Sequence, residues 1–295
     1  MNRIIRGNSE SMQNDRRINN GCDRAVSEAI GFIIIFGIII AGIGLVTMYG
    51  YPMLLQQQSS SDEQIMEKNL IVLQNDLKSL AYKTVPYKET SLKVGGGALV
   101  TYNRTYDNAT SSYFTIYDDD SIILNEDGTN VTAVDPLKFY PGSLRYVSTS
   151  AQTVMSLENG AVVKRMLAQE GSTVLAEPRW FYDSTTNTVV IYLIGFNTTD
   201  TMARTGIGTV KMELNQDPAR SYSSQYVLPV GDSIWVNYTY PDTIPNSNPD
   251  YSTAWNNYFS NTLKMTGTGP YTFPTDTSRS TTLVINRYEI IIKSV

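Results

Sequence analysis

An uninterrupted apolar stretch near the start of the chain constrains its fold more than any other feature. From Ala25 to Leu55 the sequence reads AVSEAIGFIIIFGIIIAGIGLVTMYGYPMLL, and no charged residue occurs between Glu28 and Asp62. A helix needs about 20 apolar residues to cross a bilayer core about 30 Å thick. Ala29 to Gly50 supplies 22 residues. The sequence therefore predicts one membrane-spanning helix.

The charge on the two sides of this stretch differs in sign. The first 25 residues hold five Arg and three acidic residues, a net charge of +2, so the rest of a chain of net charge −5 carries −7. Positive residues beside a span favour the cytoplasmic side. We therefore expect a single-pass protein with a cytoplasmic N-terminus and an extracellular C-terminal domain. An acidic domain is not expected to have a nucleic-acid partner.

Residue usage narrows the chemistry of that domain. The chain has no His, which excludes His-based acid–base catalysis, Ser-His-Asp sites and His-ligated zinc. The only Cys, Cys22, lies before the span, so no intrachain disulfide can form. We expect no enzyme and no cofactor, and the runs of glycine lack the Lys-Ser/Thr of a phosphate-binding loop.

After the span, the pattern changes to that of an amphipathic helix. Apolar residues follow a +4, +3, +4, +3 spacing that forms one stripe: Met66, Leu70, Leu73, Leu77 and Leu80. We expect this stripe to pack on the domain that follows. The order Gly50-Tyr51-Pro52 predicts a kink or short break between the two helical segments, because proline lacks an amide hydrogen. The predicted segments are 1–25 leader, 26–55 membrane helix, 56–85 amphipathic helix and 86–295 β-rich domain.

Short apolar runs separated by turn residues predict an α+β protein whose C-terminal domain is mainly antiparallel and sandwich-like. Asn159-Gly160 predicts the clearest hairpin, because both residues tolerate positive φ. A helix is expected near Ser252–Lys264, inside a long loop from Asp242 to Pro274. The predicted strands are 99–102, 113–117, 121–124, 144–148, 153–157, 161–166, 179–182, 188–196, 208–214, 233–238 and 283–293, the last one buried.

The junction before the apolar run, Arg24-Ala25-Val26-Ser27-Glu28, resembles the class III leader of archaeal type IV pilins and archaellins. The resemblance implies cleavage between Ala25 and Val26 by a prepilin-peptidase-like enzyme. The segments RAVSEAIGFIIIFGIIIAGIGLV, EKNLIVLQNDLKSLAYKTVPYKET and EPRWFYD are similar to those of a family of archaeal surface proteins with the same start. The resemblance thus covers most of the chain.

This resemblance implies a subunit that leaves the membrane when its apolar helix joins a filament core made of other pilin subunits. Gly37 and Ala41 have the small-xxx-small spacing that lets helices approach closely, although a plain glycine-rich membrane helix is the favoured interpretation of the spacing alone. Bacterial-type pilins carry an acid that pairs with the neighbouring subunit's N-terminal amine, and Glu28 lies two residues before that place. Pro52 is expected to lie where the membrane helix meets the rest of the protein, whose β-rich domain is called the head below. Two alternatives stay open: a single-span surface protein that never assembles, and a tethered hydrolase that uses carboxylates.

Candidate modification and metal sites all fall after the span. Asn-x-Ser/Thr sequons, which predict glycosylation if the domain is extracellular, occur at Asn103, Asn108, Asn130, Asn197 and Asn237. The acidic residues Asp118, Asp120 and Asp127 are the candidate ligands for a hard cation such as Ca²⁺. A solvated loop between two strands is the favoured interpretation of these residues, so no metal is assigned.

Two further predictions concern segments rich in aromatic residues. Trp180, Phe181 and Tyr182 share one predicted strand and are expected in the core. A Tyr-rich segment is expected to be an edge loop, with an adhesive or glycan-binding surface as the alternative, because Tyr both stacks on sugars and hydrogen-bonds. Its members are Tyr238, Tyr240, Tyr251, Tyr258 and Tyr271.

Overall fold

The computed structural model of the chain describes residues 15–83, 85–104, 111–118, 122–124, 130–132, 137–149, 153–167, 169–240 and 249–295. The chain divides into two compact units, Met1–Gln57 and Gln58–Val295. As predicted, the protein has one long apolar N-terminal helical segment followed by a mostly antiparallel β domain.

The first unit is helical throughout its described residues. Helix α1 spans Asp15–Leu45, a π-helical turn spans Val46–Gly50, and helix α2 begins at Tyr51 and ends at Tyr82. Of the predicted kink or short break at Gly50-Tyr51-Pro52, the break is absent, because the helix continues through it, but its regular hydrogen bonding changes to a π-helical turn just before the proline. Pro52 cannot donate a backbone hydrogen bond, and just before it the N–H of Tyr51 bonds to the carbonyl of Val46, five residues back. The wider turn accommodates the proline without ending the helix.

The second unit contains 16 described strands and a short helix, α3, at Ser252–Asn257, which is continued by a π-helical turn at Tyr258–Thr262. Strands β1 to β8 are Tyr87–Tyr102, Tyr113–Tyr117, Ile122–Leu124, Asn130–Thr132, Leu137–Phe139, Ser143–Ser148, Thr153–Glu158 and Ala161–Met166. Strands β9 to β16 are Ser172–Ala176, Phe181–Asp183, Thr188–Asn197, Ala203–Leu214, Tyr222–Leu228, Trp235–Thr239, Tyr271–Thr272 and Thr281–Ser294.

Ten of these strands form the main sheet, in the order β10-β11-β16-β12-β1-β6-β7-β8-β9, with β13 also paired to β16. The predicted C-terminal strand is confirmed as β16, and it is an interior strand of this sheet. It pairs with β11 in parallel and with both β12 and β13 antiparallel. A four-stranded sheet, β15-β14-β2-β5, and the pair β3-β4 complete the fold.

Side chains on the two faces of the main sheet enter two separate cores, because successive residues of a strand point to opposite faces. In β11, Val189 and Ile191 belong to the core shared with the four-stranded sheet and α3. Ile194 and Phe196 belong to the other core, under α2. The predicted stripe of α2 is confirmed, since all five of its apolar residues are fully buried in this second core.

The predicted hairpin is confirmed between β7 and β8, where Asn159 has φ 45° and Gly160 has φ 75°. Asn159 also has a role beyond the turn, because its Oδ1 accepts a hydrogen bond from the buried amide of Ile194 at 2.9 Å. The predictions missed the first twelve of the 16 residues of β1, the start of β12, and all of β4, β5, β9, β13 and β15. These segments are short or polar, so alternation alone does not identify them.

The aromatic segments depart from their predictions. Trp180 is buried as expected, but Phe181 is 41% exposed. Four of the Tyr-rich residues, Tyr238, Tyr251, Tyr258 and Tyr271, are buried, so neither an edge loop nor an adhesive surface describes them. They form the core around Trp255 of the helix α3, whose ring lies 4.6 Å from that of Phe114 and 5.8 Å from that of Tyr238. Segment 241–248 of the predicted loop lies outside the described residues.

Candidate functional site

The candidate functional element is the apolar helical segment that begins at Ser27. Its large apolar side chains face outward, with exposed fractions from 47% to 69% between Ile30 and Leu55. The helix is long and apolar enough to cross a membrane, and none of its most apolar window is buried inside the protein. A soluble protein rarely exposes an apolar surface of this extent. The segment is therefore compatible with a membrane anchor or a signal sequence.

The segment has few polar side chains, and one of them bonds to its own helix. The Thr47 hydroxyl donates to the carbonyl oxygen of Ile43 at 2.8 Å, one turn back. The rings of Phe32 and Phe36 stack at 6.1 Å along one side of the helix. Lipid offers no hydrogen-bond partners, so a hydroxyl that bonds to its own helix suits an apolar surrounding.

The predicted assembly residues lie on exposed helix surface. Gly37 and Ala41 are exposed, and a Cβ placed on Gly37 meets no atom within 4 Å. Glu28 is also exposed, and it is the only charged residue from Ser27 to Leu55. Pro52 lies in the first turn of α2. The small residues thus open a shallow strip of backbone that another helix could approach.

The predicted cleavage residues Arg24, Ala25 and Val26 have helical backbone within α1, and their side chains lie outside the described residues. The leader before Asp15 is likewise outside them.

The sequons differ in their surroundings. Asn103 Nδ2 donates to the carbonyl of Thr198 at 2.7 Å, and Asn237 Nδ2 donates to the hydroxyl of Thr239 at 3.2 Å. Asn197 Nδ2 donates to Glu289 Oε1 at 3.1 Å. A glycan at Asn197 would therefore have to form on the nitrogen that serves a buried carboxylate. Asn108 lies outside the described residues, as does the side chain of Asn130.

The described residues do not bring the candidate metal ligands together into one site. Asp118 follows β2 and is half-buried, whereas Asp120 and Asp127 lie outside the described residues. Within the described ranges, no group of three or more His, Cys, Asp or Glu residues could hold a metal ion.

Sequence reasoning missed a buried ionic cluster in the main sheet. Arg104 Nη1 lies 2.9 Å from Glu289 Oε2, and both side chains are almost fully buried. The other carboxylate oxygen accepts hydrogen bonds from Asn215 at 2.7 Å and Asn197 at 3.1 Å. Burial alone would raise the pKa of Glu289, but these two hydrogen bonds and the Arg104 charge outweigh it, so the pKa is lowered. The available signal was one acid inside the apolar run of β16.

A second missed cluster surrounds Glu158 at the end of β7. Its Oε1 accepts a hydrogen bond from Trp255 Nε1 at 2.8 Å, and the residue is buried. Burial raises the pKa of Glu158 to about 7, although the bond from Trp255 and the charge of Arg145 oppose this. The hydroxyls of Tyr238 and Tyr251 are buried near this carboxyl. The ionised form of Glu158 is therefore disfavoured in this buried site, and its ionisation destabilises the β domain.

The comparisons with known proteins give one match. A family model described as a family of unknown function matches residues 24–292, which include the apolar helix and nearly all of the β domain. No curated protein and no solved structure matches the chain.

Proposed function

This chain belongs to DUF7289, a family of unknown function, and from that premise we propose that it is an archaeal type IV pilin-like surface subunit. The N-terminal helix holds the subunit in the cell membrane, with the N-terminus cytoplasmic and the β head extracellular. After removal of the leader, the same helix packs with helices of other subunits in a filament. The head presents the exposed surface of that filament and carries no assigned catalytic role.

The observation that carries this proposal is the contrast between the two parts of the helical segment. From Met66 to Leu80 the apolar stripe is fully buried against the sheet. From Ile30 to Leu55 the apolar side chains are exposed. Only an external apolar partner can cover the second set. Lipid and the helices of other subunits are both such partners, as a pilin-like life cycle requires.

The exposed glycines favour helix–helix packing over a purely lipid environment. In lipid, helices associate through close van der Waals contact, which small residues permit. Gly37 and Ala41 supply that contact surface, and Glu28 supplies one charge near the expected mature terminus at Val26.

The first experiment tests maturation. We expect N-terminal sequencing of protein made beside a prepilin-peptidase-like enzyme to start at Val26. The substitution Ala25→Leu should block cleavage, because the peptidase requires a small residue there, whereas Ala29→Leu should not. A mature protein that retains Met1 would refute the proposal.

A second candidate function is a single-span surface protein that does not assemble, which the exposed helix supports equally. Gly37→Leu separates the two, because leucine keeps the helix apolar but fills the strip between neighbouring helices. We expect Gly37→Leu to abolish filaments while membrane insertion is retained, and Ile38→Leu to change neither. If filaments are absent with the natural sequence and Val26 is still the mature start, the static anchor is the better function.

A further inference from the structure

The face of the main sheet on which α2 packs is only partly covered. Phe181, Val190 and Val284 lie side by side in the strands β10, β11 and β16. They share the face of Ile194, which lies in the core under α2, because alternate residues of a strand point the same way. Phe181 is nevertheless 41% exposed, and the two valines are only half-buried. Part of this sheet face is therefore open to solvent.

Three tyrosines and an arginine lie together on this face, where α2 ends. The rings of Tyr192 and Tyr288 are parallel to within 10°, and their centres are 6.4 Å apart. The ring of Tyr82, the last residue of α2, is nearly perpendicular to both, at 4.8 Å from Tyr192 and 6.1 Å from Tyr288. The guanidinium carbon of Arg179 lies 4.9 Å from the ring centre of Tyr82 and 5.3 Å from that of Tyr192. These four residues are called the tyrosine–arginine cluster.

The polar groups of the cluster are available to a ligand. Its three tyrosines are half-buried and Arg179 is exposed. Among the described residues, neither the three tyrosine hydroxyls nor the guanidinium nitrogens of Arg179 have a hydrogen-bond or ion-pair partner. The same is true of the amide of Asn286, which lies opposite Tyr192 in the ladder of β11 and β16. The cluster thus combines aromatic surface with several convergent donors and acceptors, which is the composition of a ligand site.

The local charge favours an anionic ligand. The planar guanidinium of Arg179 presents a fork of donors that matches a carboxylate. Lys78, one turn before Tyr82, lies on the same side of α2. The acid Glu177 interacts electrostatically with Lys78, but its Oε1 already accepts a hydrogen bond from the hydroxyl of Thr262 at 2.8 Å. The two cations outnumber this acid, so the cluster is locally positive although the chain as a whole is acidic.

The ligand has to be recognised by side chains, because the backbone beneath the cluster is already bonded. Strand β16 pairs with β11 on one side and with β12 and β13 on the other, and the carbonyl of Tyr192 accepts a hydrogen bond from Trp180 Nε1 at 2.7 Å. A peptide strand, which binds through free backbone groups, finds none here. A sugar ring instead offers apolar C–H faces for the tyrosine rings and hydroxyls for their polar ends. A sugar acid adds the carboxylate that Arg179 can bind.

We propose that the tyrosine–arginine cluster binds an acidic polysaccharide, with a uronic acid residue stacked on the tyrosine rings and its carboxylate paired with Arg179. The hydroxyls of the sugar bond to the tyrosine hydroxyls and to the amide of Asn286. All of these residues lie in the head and none in the apolar helix. The proposal therefore goes beyond filament assembly and does not rest on it.

Affinity electrophoresis of the full chain in detergent tests the site. A native gel that contains polygalacturonate should retard the protein, whereas a gel with the methyl ester of the same polymer, which lacks the charge, should not. Arg179→Gln should raise the apparent Kd about tenfold or more, because a charged hydrogen-bonded contact is lost. Lys68→Gln is the matched control. It removes the same charge from an exposed position of α2, about 21 Å along the helix from Tyr82, and should bind like the natural protein.

Removal of the hydroxyls gives a second readout. Tyr192→Phe and Tyr288→Phe keep the rings, and each should weaken binding about fivefold through a lost hydrogen bond. Five results would overturn the proposal: no retardation of the natural protein, equal retardation by the methyl ester, equal retardation by polyglutamate, which would indicate an acidic peptide as the ligand, equal losses from Arg179→Gln and Lys68→Gln, or unchanged binding in both phenylalanine variants.

The Gly37→Leu variant separates this site from filament assembly. It changes the apolar helix alone, so it should bind polygalacturonate like the natural protein whether or not filaments form. Failure of one proposal therefore leaves the other standing.

Discussion

Arg104 and Glu289 form an ion pair of 2.9 Å in which the side chains are only 3% and 1% exposed. Removing one partner of a buried pair leaves an uncompensated charge and costs about 3–5 kcal/mol. We expect Glu289→Gln to lower the free energy of unfolding of the head by this amount, as measured by urea titration with tryptophan fluorescence. Glu213→Gln is the matched control, because its pair with Lys293 is about half exposed and should cost under about 1 kcal/mol.

Equal losses from these two substitutions would contradict the assigned role of the buried pair. The lowered pKa of Glu289 adds a pH signature. A carboxyl with a lowered folded pKa contributes stability above its unfolded pKa, and this stability is lost as the pH falls through the folded value. The difference between the natural protein and Glu289→Gln should therefore shrink in acid.

For Glu158 we expect the stability of the head to change with pH in the direction opposite to that for Glu289. Its folded pKa of about 7 lies above the ordinary value of 4.5, so the folded state binds the proton more tightly than the unfolded state. Stability from this group is present at low pH and is lost as the pH rises towards 7, by roughly 3 kcal/mol in all. Glu158→Gln keeps an acceptor for Trp255 and removes the titration. Its unfolding free energy relative to the natural protein should rise between pH 5 and pH 8, and a constant difference would contradict the prediction.

The packing of α2 on the sheet predicts that substitutions at two adjacent residues have very different effects on stability. Leu73 is fully buried, whereas Val72 is 48% exposed. Leu73→Ala should lower the unfolding free energy of the head by about 2–5 kcal/mol through lost burial and a cavity. Val72→Ala should stay within about 0.5 kcal/mol. Comparable effects would mean that the stripe does not hold the helix to the sheet in solution.

Gly95 predicts a pairwise effect with Asp62 of α2. A Cβ on Gly95 would overlap the Asp62 carboxylate, so Gly95→Ala forces the Asp62 side chain out of its position, at about 1 kcal/mol. Asp62→Ala removes the obstacle. We expect the double variant to recover most of the stability lost by Gly95→Ala, as a double-mutant cycle with coupling of about 1 kcal/mol or more. Additive effects would show that the contact is not the cause.

Local patterns predicted the elements whose signals are periodic and strong. The five-residue stripe of α2, the hairpin at Asn159-Gly160 and the buried β16 are confirmed, because each depends on spacing or φ preference within a few residues. At Pro52, where a kink or short break was predicted, the helix does not break but has a π-helical turn just before the proline. A proline predicts a lost hydrogen bond, but a neighbouring π-helical turn can absorb that loss.

The tyrosines illustrate what such patterns miss. Tyr251 and Tyr258 lie in a segment rich in polar and turn-forming residues, so the sequence predicted a long loop with a helix near Ser252–Lys264; the helix is present as α3 and its π-helical continuation, but the burial of the two tyrosines was not predicted. Burial depended on Trp255, which brings them into the core between the main sheet and the four-stranded sheet. A side chain's burial is a property of its neighbours in space, and those neighbours are distant in sequence.

The sequence by itself determined the exposed apolar helix, the amphipathic helix after it and the α+β class, because hydrophobic periodicity acts over single turns and strands. Only the tertiary structure decided which strands are neighbours. Those pairings bring Arg104 to Glu289, 185 residues away. Strand pairing and charge burial depend on contacts between segments that are distant in sequence, so no local pattern predicts them.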